Sequence, residues 1–166
     1  MAVVDKAGSV NNLSSVDTSN TIKSNNVTAG AKLRFFRDTV EIAAADDDGS
    51  KYRLARVPFN IVISDIDIDH DSITGGTDFD LGVYDVPEEN EGAVIDKDCL
   101  VDGQTLATAG TKNGLSNVNR DSLHKELWEI AGLTSRSTKL VDIVLTGNTV
   151  GTAAGTVTLT TRFSLV

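Results

Sequence analysis

Cysteine, proline, histidine and aromatic residues are all scarce in this chain, and each scarcity narrows what it can be. Cys99 is the only cysteine among 166 residues, so neither an intrachain disulfide nor a cysteine-built metal site can form. Only His70 and His124 are available as neutral-pH bases. Aromatic residues make up 5% of a chain that is 40% hydrophobic, so the core must be built from Val, Ile and Leu, which suits strands. No apolar run approaches the ~18 residues of a membrane span. The opening Met1-Ala2-Val3-Val4-Asp5-Lys6 lacks the basic start and apolar stretch of a signal peptide. The expectation is a soluble protein made in a cytoplasm. Basic residues are outnumbered 15 to 24, for a net charge of −9 and a pI near 4.5. Such a surface repels phosphate backbones and anionic lipid, so neither nucleic acid nor membrane is expected as a partner.

What the chain does hold is aspartate and alternation. Eighteen of its acids are Asp, a residue poor in helix interiors and good in turns. The stretch Ile61 to Val86, IVISDIDIDHDSITGGTDFDLGVYDV, organises the rest. Ile66 and Ile68 share one side against Asp65, Asp67 and Asp69; Phe79, Leu81 and Val83 share another against Asp78 and Asp80. With Thr74-Gly75-Gly76-Thr77 between them, the two runs read as an antiparallel hairpin, apolar inward and carboxylates outward.

Around this stretch, residues 1–30 are a flexible or extended N-terminal arm, rich in Ser, Asn and Thr, and the domain proper spans 31–166. The arm's spaced Val10, Leu13, Val16, Ile22 and Val27 are the interaction candidates, able to anchor it along a neighbouring subunit. From Lys32 to Ala45 the apolar phase shifts between Phe35-Phe36 and Val40-Ile42, which predicts a bulged strand or two short ones. Asp46 to Ser50 is a turn on Gly49. Lys51 to Val57 is a strand with Tyr52 and Leu54 on one side, and Pro58 marks a bend or sheet edge. Residues 93–114 carry no firm pattern. Asn119 to Leu133 reads as one helix, with Leu123, Leu127, Ile130 and Ala131 as its apolar stripe, Trp128 beside it, Asn119 or Asp121 as cap and Gly132 as stop. Val141, Ile143 and Leu145, then Val157, Leu159 and Phe163, return to strand alternation. Six to eight strands with one helix make this a mainly β chain, an antiparallel β-sandwich of jelly-roll-like form with one α-helix and an extended N-terminal arm.

Candidate chemistry is sparse. Asp67, Asp69, Asp71 and Asp78 fit the 1, 3, 5 and 12 spacing of a calcium loop. Ser72 stands where that loop needs glycine, however, and the alternating Ile66 and Ile68 already explain the spacing as the solvated face of a strand. No cofactor is expected, with calcium at this array as the exception. His70 follows the acidic run and His124 lies among charged neighbours, but no nucleophile sits in a sharp Gly-flanked turn. Cys99 has an acidic neighbour that raises its pKa. Gly147-Asn148-Thr149-Val150-Gly151 lacks the lysine of a phosphate loop. The reading is of a protein that is not an enzyme, with glycan binding as another use of a sandwich.

Several stretches carry a resemblance. They are Ala43-Ala44-Ala45-Asp46-Asp47-Asp48-Gly49-Ser50 with Tyr52-Arg53 and Arg56-Val57-Pro58; Ile73 to Tyr84, ITGGTDFDLGVY; Leu127-Trp128-Glu129 with Gly132-Leu133; and Thr146 to Gly151 with Ala153-Ala154-Gly155-Thr156. Together these resemble a family of small proteins encoded among the head genes of tailed bacteriophages, near the major capsid protein. The resemblance covers about residues 31–166 and brings no site residues with it. It implies a virion structural protein, a decoration or cement protein on the capsid exterior whose partner is the major capsid protein, and a homo-oligomer, with a trimer on capsid three-fold positions. A tail or head–tail component and a glycan-binding protein of the virion surface stay open beside it.

Overall fold

The computed structural model describes residues 33–165. The arm, with Val10, Leu13, Val16, Ile22 and Val27, lies outside the described residues.

Eight strands account for most of the fold: β1 Leu33–Ile42, β2 Ser50–Pro58, β3 Ile61–His70, β4 Asp78–Asp85, β5 Val94–Gln104, β6 Gly110–Asn113, β7 Leu140–Thr149 and β8 Gly155–Leu165. They form two antiparallel four-stranded sheets, ordered β1-β8-β3-β6 and β2-β7-β4-β5. Consecutive strands alternate between the sheets except at β4–β5, which is the connectivity of a jelly roll. The predicted sandwich is the observed one. Its core is aliphatic: Ile66, Ile68, Phe79, Leu81, Val83, Ile143, Leu145, Leu159 and Phe163 are all buried between the sheets.

The Ile61–Val86 stretch is not a hairpin. β3 pairs with β8 and β6, while β4 pairs with β7 and β5 in the opposite sheet. Alternation reports which side of a strand is buried, not which strand lies beside it. Both runs turn their apolar sides into the same core from opposite walls. Residues 71–77 cross between the sheets, and the buried Ile73 closes the core beneath them. Their turn is held by the Gly76 N–H donating to the Ile73 carbonyl at 2.9 Å, with Gly75 at φ +80°. The neighbouring β7–β8 link lies directly against it. A Cβ on Gly151 would sit 2.4 Å from the Thr74 carbonyl oxygen, and φ there is +87°, so glycine is required for both space and backbone.

Three further expectations change. β1 runs ten residues in continuous register with β8, without a bulge; its phase shift arises because an edge strand overhangs the core and buries little beyond Ile42. The bulges fall in β2, between Arg53 and Ala55, and in β3, between Ile63 and Asp65. The predicted Asn119–Leu133 helix shrinks to α1, Leu127–Ile130, preceded by a 3-10 turn at Arg120–Ser122. Glu126, not Asn119 or Asp121, opens it through a reciprocal capping box with Glu129, and this leaves Leu123 outside the helix and 40% exposed. Helix nucleation is costly, so four residues persist because Leu127 is buried and Trp128 donates its N–H to the Phe59 carbonyl. The C-terminal stop is as expected: Gly132 at φ +73° lets the Leu133 N–H reach the Trp128 carbonyl. Residues 93–114, patternless in sequence, hold β5 and β6. β5 meets β4 through three register breaks, so no simple alternation survives.

Candidate interaction surface

The outer face of the β2-β7-β4-β5 sheet is covered rather than solvated, and this places the acidic residues differently from expectation. Between Leu81–Val101 and Val83–Asp96 pairs, β5 carries extra residues that fold over β4. A Cβ on Gly82 would meet the Asp96 and Lys97 backbone at 2.2 Å, so only glycine admits this crossing. Beneath it Asp80, expected outside the core, is 1% exposed. Its carboxylate accepts hydrogen bonds from Lys97 Nζ at 2.8 Å, Asn148 Nδ2 at 2.7 Å and the Gly103 N–H at 2.9 Å. Burial pushes its pKa up, but these donors outweigh burial and hold the carboxyl below the ordinary value. Further along, Asp142 is buried and takes Arg53 and Arg56 together, and Tyr84 shares a 2.8 Å hydrogen bond with Thr146. This face is a satisfied polar network.

The calcium-loop candidates are dispersed along two sheets. Asp67 accepts Arg162 Nη1 at 2.8 Å, and the same guanidinium reaches Asp65. Asp69 accepts the Thr111 hydroxyl and Asp71 the Thr156 N–H at 3.1 Å, while Asp78, in the other sheet, accepts the amide of its sheet neighbour Asn148 at 3.1 Å. Sequence reasoning missed the group in which carboxylate oxygens lie within 4.8 Å of one another, Asp80, Asp98 and Asp102. No spacing rule links these three, because the β5 crossing brings them together. His70 is buried, with Nδ1 2.8 Å from the Asp71 carbonyl; His124 is exposed, far along the chain from it. Burial pushes the Cys99 thiol up, with Asp96 and Asp98 adding to the shift, so it is not an activated nucleophile.

Exposed apolar surface gathers elsewhere. Leu33 and Phe35 on β1 are 59% and 75% exposed. Register puts Leu33 opposite Ser164 and Phe35 opposite Arg162, on the outer face of the β1-β8-β3-β6 sheet. Arg34, Arg37, Thr160 and Arg162 line a shallow hollow with them, and Arg37 donates to the Thr160 hydroxyl at 2.9 Å. Leu140 and Leu165, also exposed, lie at the same end of the sandwich, since Leu140 opens β7 opposite Pro58 and Leu165 closes β8 opposite Ile61. The described residues therefore begin and end at one apolar end of the sandwich. The sequence signal was available as Leu33 and Phe35 flanked by Arg34 and Arg37, but only the strand order shows that β1 is an edge.

Among the described residues no helix is long and apolar enough to cross a membrane. No family model and no curated protein sequence matches the chain. Two solved structures match it. One is a chain from the capsid of Ralstonia phage GP4, with a TM-score of 0.62 and 16% identity, over 88% of this chain and 93% of that one. The other is from the capsid asymmetric unit of cyanophage Pam1, with a TM-score of 0.45 and 17% identity, over 82% and 87% of the two chains. The sandwich described above is thus a fold shared with a chain of the GP4 phage capsid.

Proposed function

We propose that the protein is a structural component of a tailed-phage virion, decorating and cementing the capsid exterior through non-covalent contacts with the major capsid protein. The observation that carries this reading is the likeness to a chain of the Ralstonia phage GP4 capsid across nearly the whole length of both. The resemblance of residues 31–166 to head-module proteins supports it independently of the fold. The surface chemistry suits the role. The acidic sandwich repels nucleic acid, its buried carboxylates are saturated by Arg, Lys and Asn, and its exposed apolar residues gather where the arm joins. A protein with this role works by adhesion, not by catalysis.

The test is co-sedimentation with capsids assembled from the major capsid protein of the same phage. The full chain binds them saturably, and a variant starting at Ala31 keeps its melting temperature but binds more weakly. Undiminished binding by that variant moves the interface onto the sandwich. A full chain that ignores capsids and binds purified tails or a glycan array refutes the capsid reading.

A further inference from the structure

A two-sheet sandwich has four edges, and each is an open row of N–H and C=O groups that another chain can extend. Three of them are blunted here. β2 carries a bulge after Arg53 and ends in Pro58. β5 meets its neighbour through three register breaks, and β6 is four residues long. β1 alone is long and regular, ten residues paired to β8 without a shift. It is also the strand that exposes Leu33 and Phe35.

The direction of its free groups can be read from one contact. The Thr39 N–H donates to its neighbour Asp38 Oδ1 at 2.8 Å, so it points away from β8. N–H groups alternate in direction along an antiparallel strand, and those of Leu33, Phe35 and Arg37 therefore point outward with it. Asp38 occupies the outward donor at Thr39, so the open stretch is Leu33 to Arg37, where the apolar side chains lie.

We propose that this edge accepts the N-terminal arm of a second copy of the chain as an added strand, so that copies associate by exchanging arms. This rests on the capsid reading only for its purpose; the pairing itself needs no capsid. The 32 residues preceding Leu33 span up to about 100 Å when extended, roughly three times the length of β1. An arm folded back on its own β1 would bring only Ile22 and Val27 to the edge and leave Val10, Leu13 and Val16 unused. Donor and acceptor meet at Leu33, so every copy can give one arm and take one, and the assembly closes symmetrically when the rotation between copies returns to the first. Charge points the same way. Residues 1–30 hold Asp5 and Asp17 against Lys6 and Lys23, net zero, so the whole −9 resides on residues 31–166. Two sandwich bodies repel, whereas a neutral arm approaches freely.

Full-length chains test this by light scattering or sedimentation without capsids. Phe35→Pro removes an outward N–H while leaving the β8 pairing intact, and so blocks the acceptor; Phe35→Lys does the same by charge should the proline variant not fold. Val16→Pro, Ile22→Pro and Val27→Pro combined block the donor. The wild-type protein is expected as an oligomer, each variant as a 17.6 kDa monomer with an unchanged melting temperature. A mixture of the acceptor-blocked and donor-blocked variants regains association, because each supplies what the other lacks. A monomeric wild type, an oligomer that survives Phe35→Pro and Phe35→Lys, or a mixture that stays monomeric each overturns the proposal. Any of these outcomes leaves capsid binding, measured separately, as it was.

Discussion

Replacing Asp80 by alanine tests whether the covered face of the β2-β7-β4-β5 sheet is a stabilising network. The side chain is all but inaccessible, and it accepts three hydrogen bonds at 2.7–2.9 Å. Hydrogen bonds to a charged group contribute about 1.5–3 kcal/mol each when buried, but two of these partners are wet. The Lys97 side chain is half exposed, so its pairing is worth ~0.5 kcal/mol after solvent screening. Gly103 is exposed, and water replaces much of what its N–H loses, leaving ~1 kcal/mol. Asn148 is half-buried and faces Asp80 from β7, which leaves ~1.5 kcal/mol. Asp80→Ala should therefore cost about 3 kcal/mol, or roughly 9 °C in melting temperature for a domain of this size. Asp80→Asn keeps an acceptor for Gly103 and should cost ~1 kcal/mol.

The same carboxylate links stability to pH. Its folded pKa lies below its ordinary value, so its contribution is fully present above the unfolded pKa of about 3.9. It is lost as pH falls through the lower folded value. Urea unfolding from pH 7 down to pH 2 should show wild type and Asp80→Asn converging on the acid side of pH ~4. A cost for Asp80→Ala below ~1 kcal/mol at pH 7, or a gap between wild type and Asp80→Asn that does not narrow as pH falls below ~4, would refute the network.

Phe79→Ala empties a fully buried site facing Gly76 and Gly147 and should lower stability by ~3–5 kcal/mol in urea titrations; a loss near zero would place Phe79 outside the core. Added salt should strengthen self-association of the full chain at neutral pH, because the Debye length falls from ~10 Å at 0.1 M to ~3 Å at 1 M and the like-charged bodies cease to repel. Dissociation at high salt would mean that ion pairs hold the copies together.

The inward faces of five strands, β2, β3, β4, β7 and β8, were legible because each kept its period of two where it crossed the core. Ile66, Ile68, Phe79, Leu81, Val83, Ile143, Leu145, Leu159 and Phe163 all lie in the core as expected, and Tyr52 and Leu54, expected to share one side of their strand, are both buried. Pairing was not legible, because one period fits every partner, and the Gly75-Gly76 turn looks the same whether it closes a hairpin or bridges two sheets. Asp80 misled for a related reason. Alternation gives outward, and outward usually means wet, but the β5 crossing over Gly82 roofs that face. The hint lay in the company Asp80 keeps: Asp142, Thr146 and Tyr84 share its face, and so many polar groups side by side on one strand pair mark a face that bonds within itself. The helix was overextended because Leu123 continues the stripe in number while Glu126 and Glu129 set the boundary through hydrogen bonds that no periodicity records. The edge surface was half legible. Phe35-Phe36 stood out of phase with Val40-Ile42 in the sequence, and that irregularity belongs not to a bulge but to an edge strand that leaves Leu33 and Phe35 exposed on its outer face.

The edges and the charge bear on the same question. A chain this acidic sets like-charged bodies against one another, and Arg53, Arg56, Lys97, Lys139 and Arg162 are each spent on carboxylates of their own sandwich, whereas Arg34 and Arg37 stand on β1 itself. An interface between copies therefore cannot draw on the paired cations without breaking internal pairs. At the β1 edge the terms for association are apolar contact and backbone hydrogen bonding, flanked by Arg34 and Arg37. β1 offers both at one place, with outward N–H groups from Leu33 to Arg37 and two exposed apolar side chains beside them. The other edges offer neither in regular form. Blunting three edges and leaving one open also limits the geometry. Each copy has one place to accept a strand, so association runs head to tail, closing into a ring or pair where the rotation between copies returns to the first, instead of growing into sheets. One arm given and one taken by each copy act together in a closed assembly, so that individually modest strand additions become avid there.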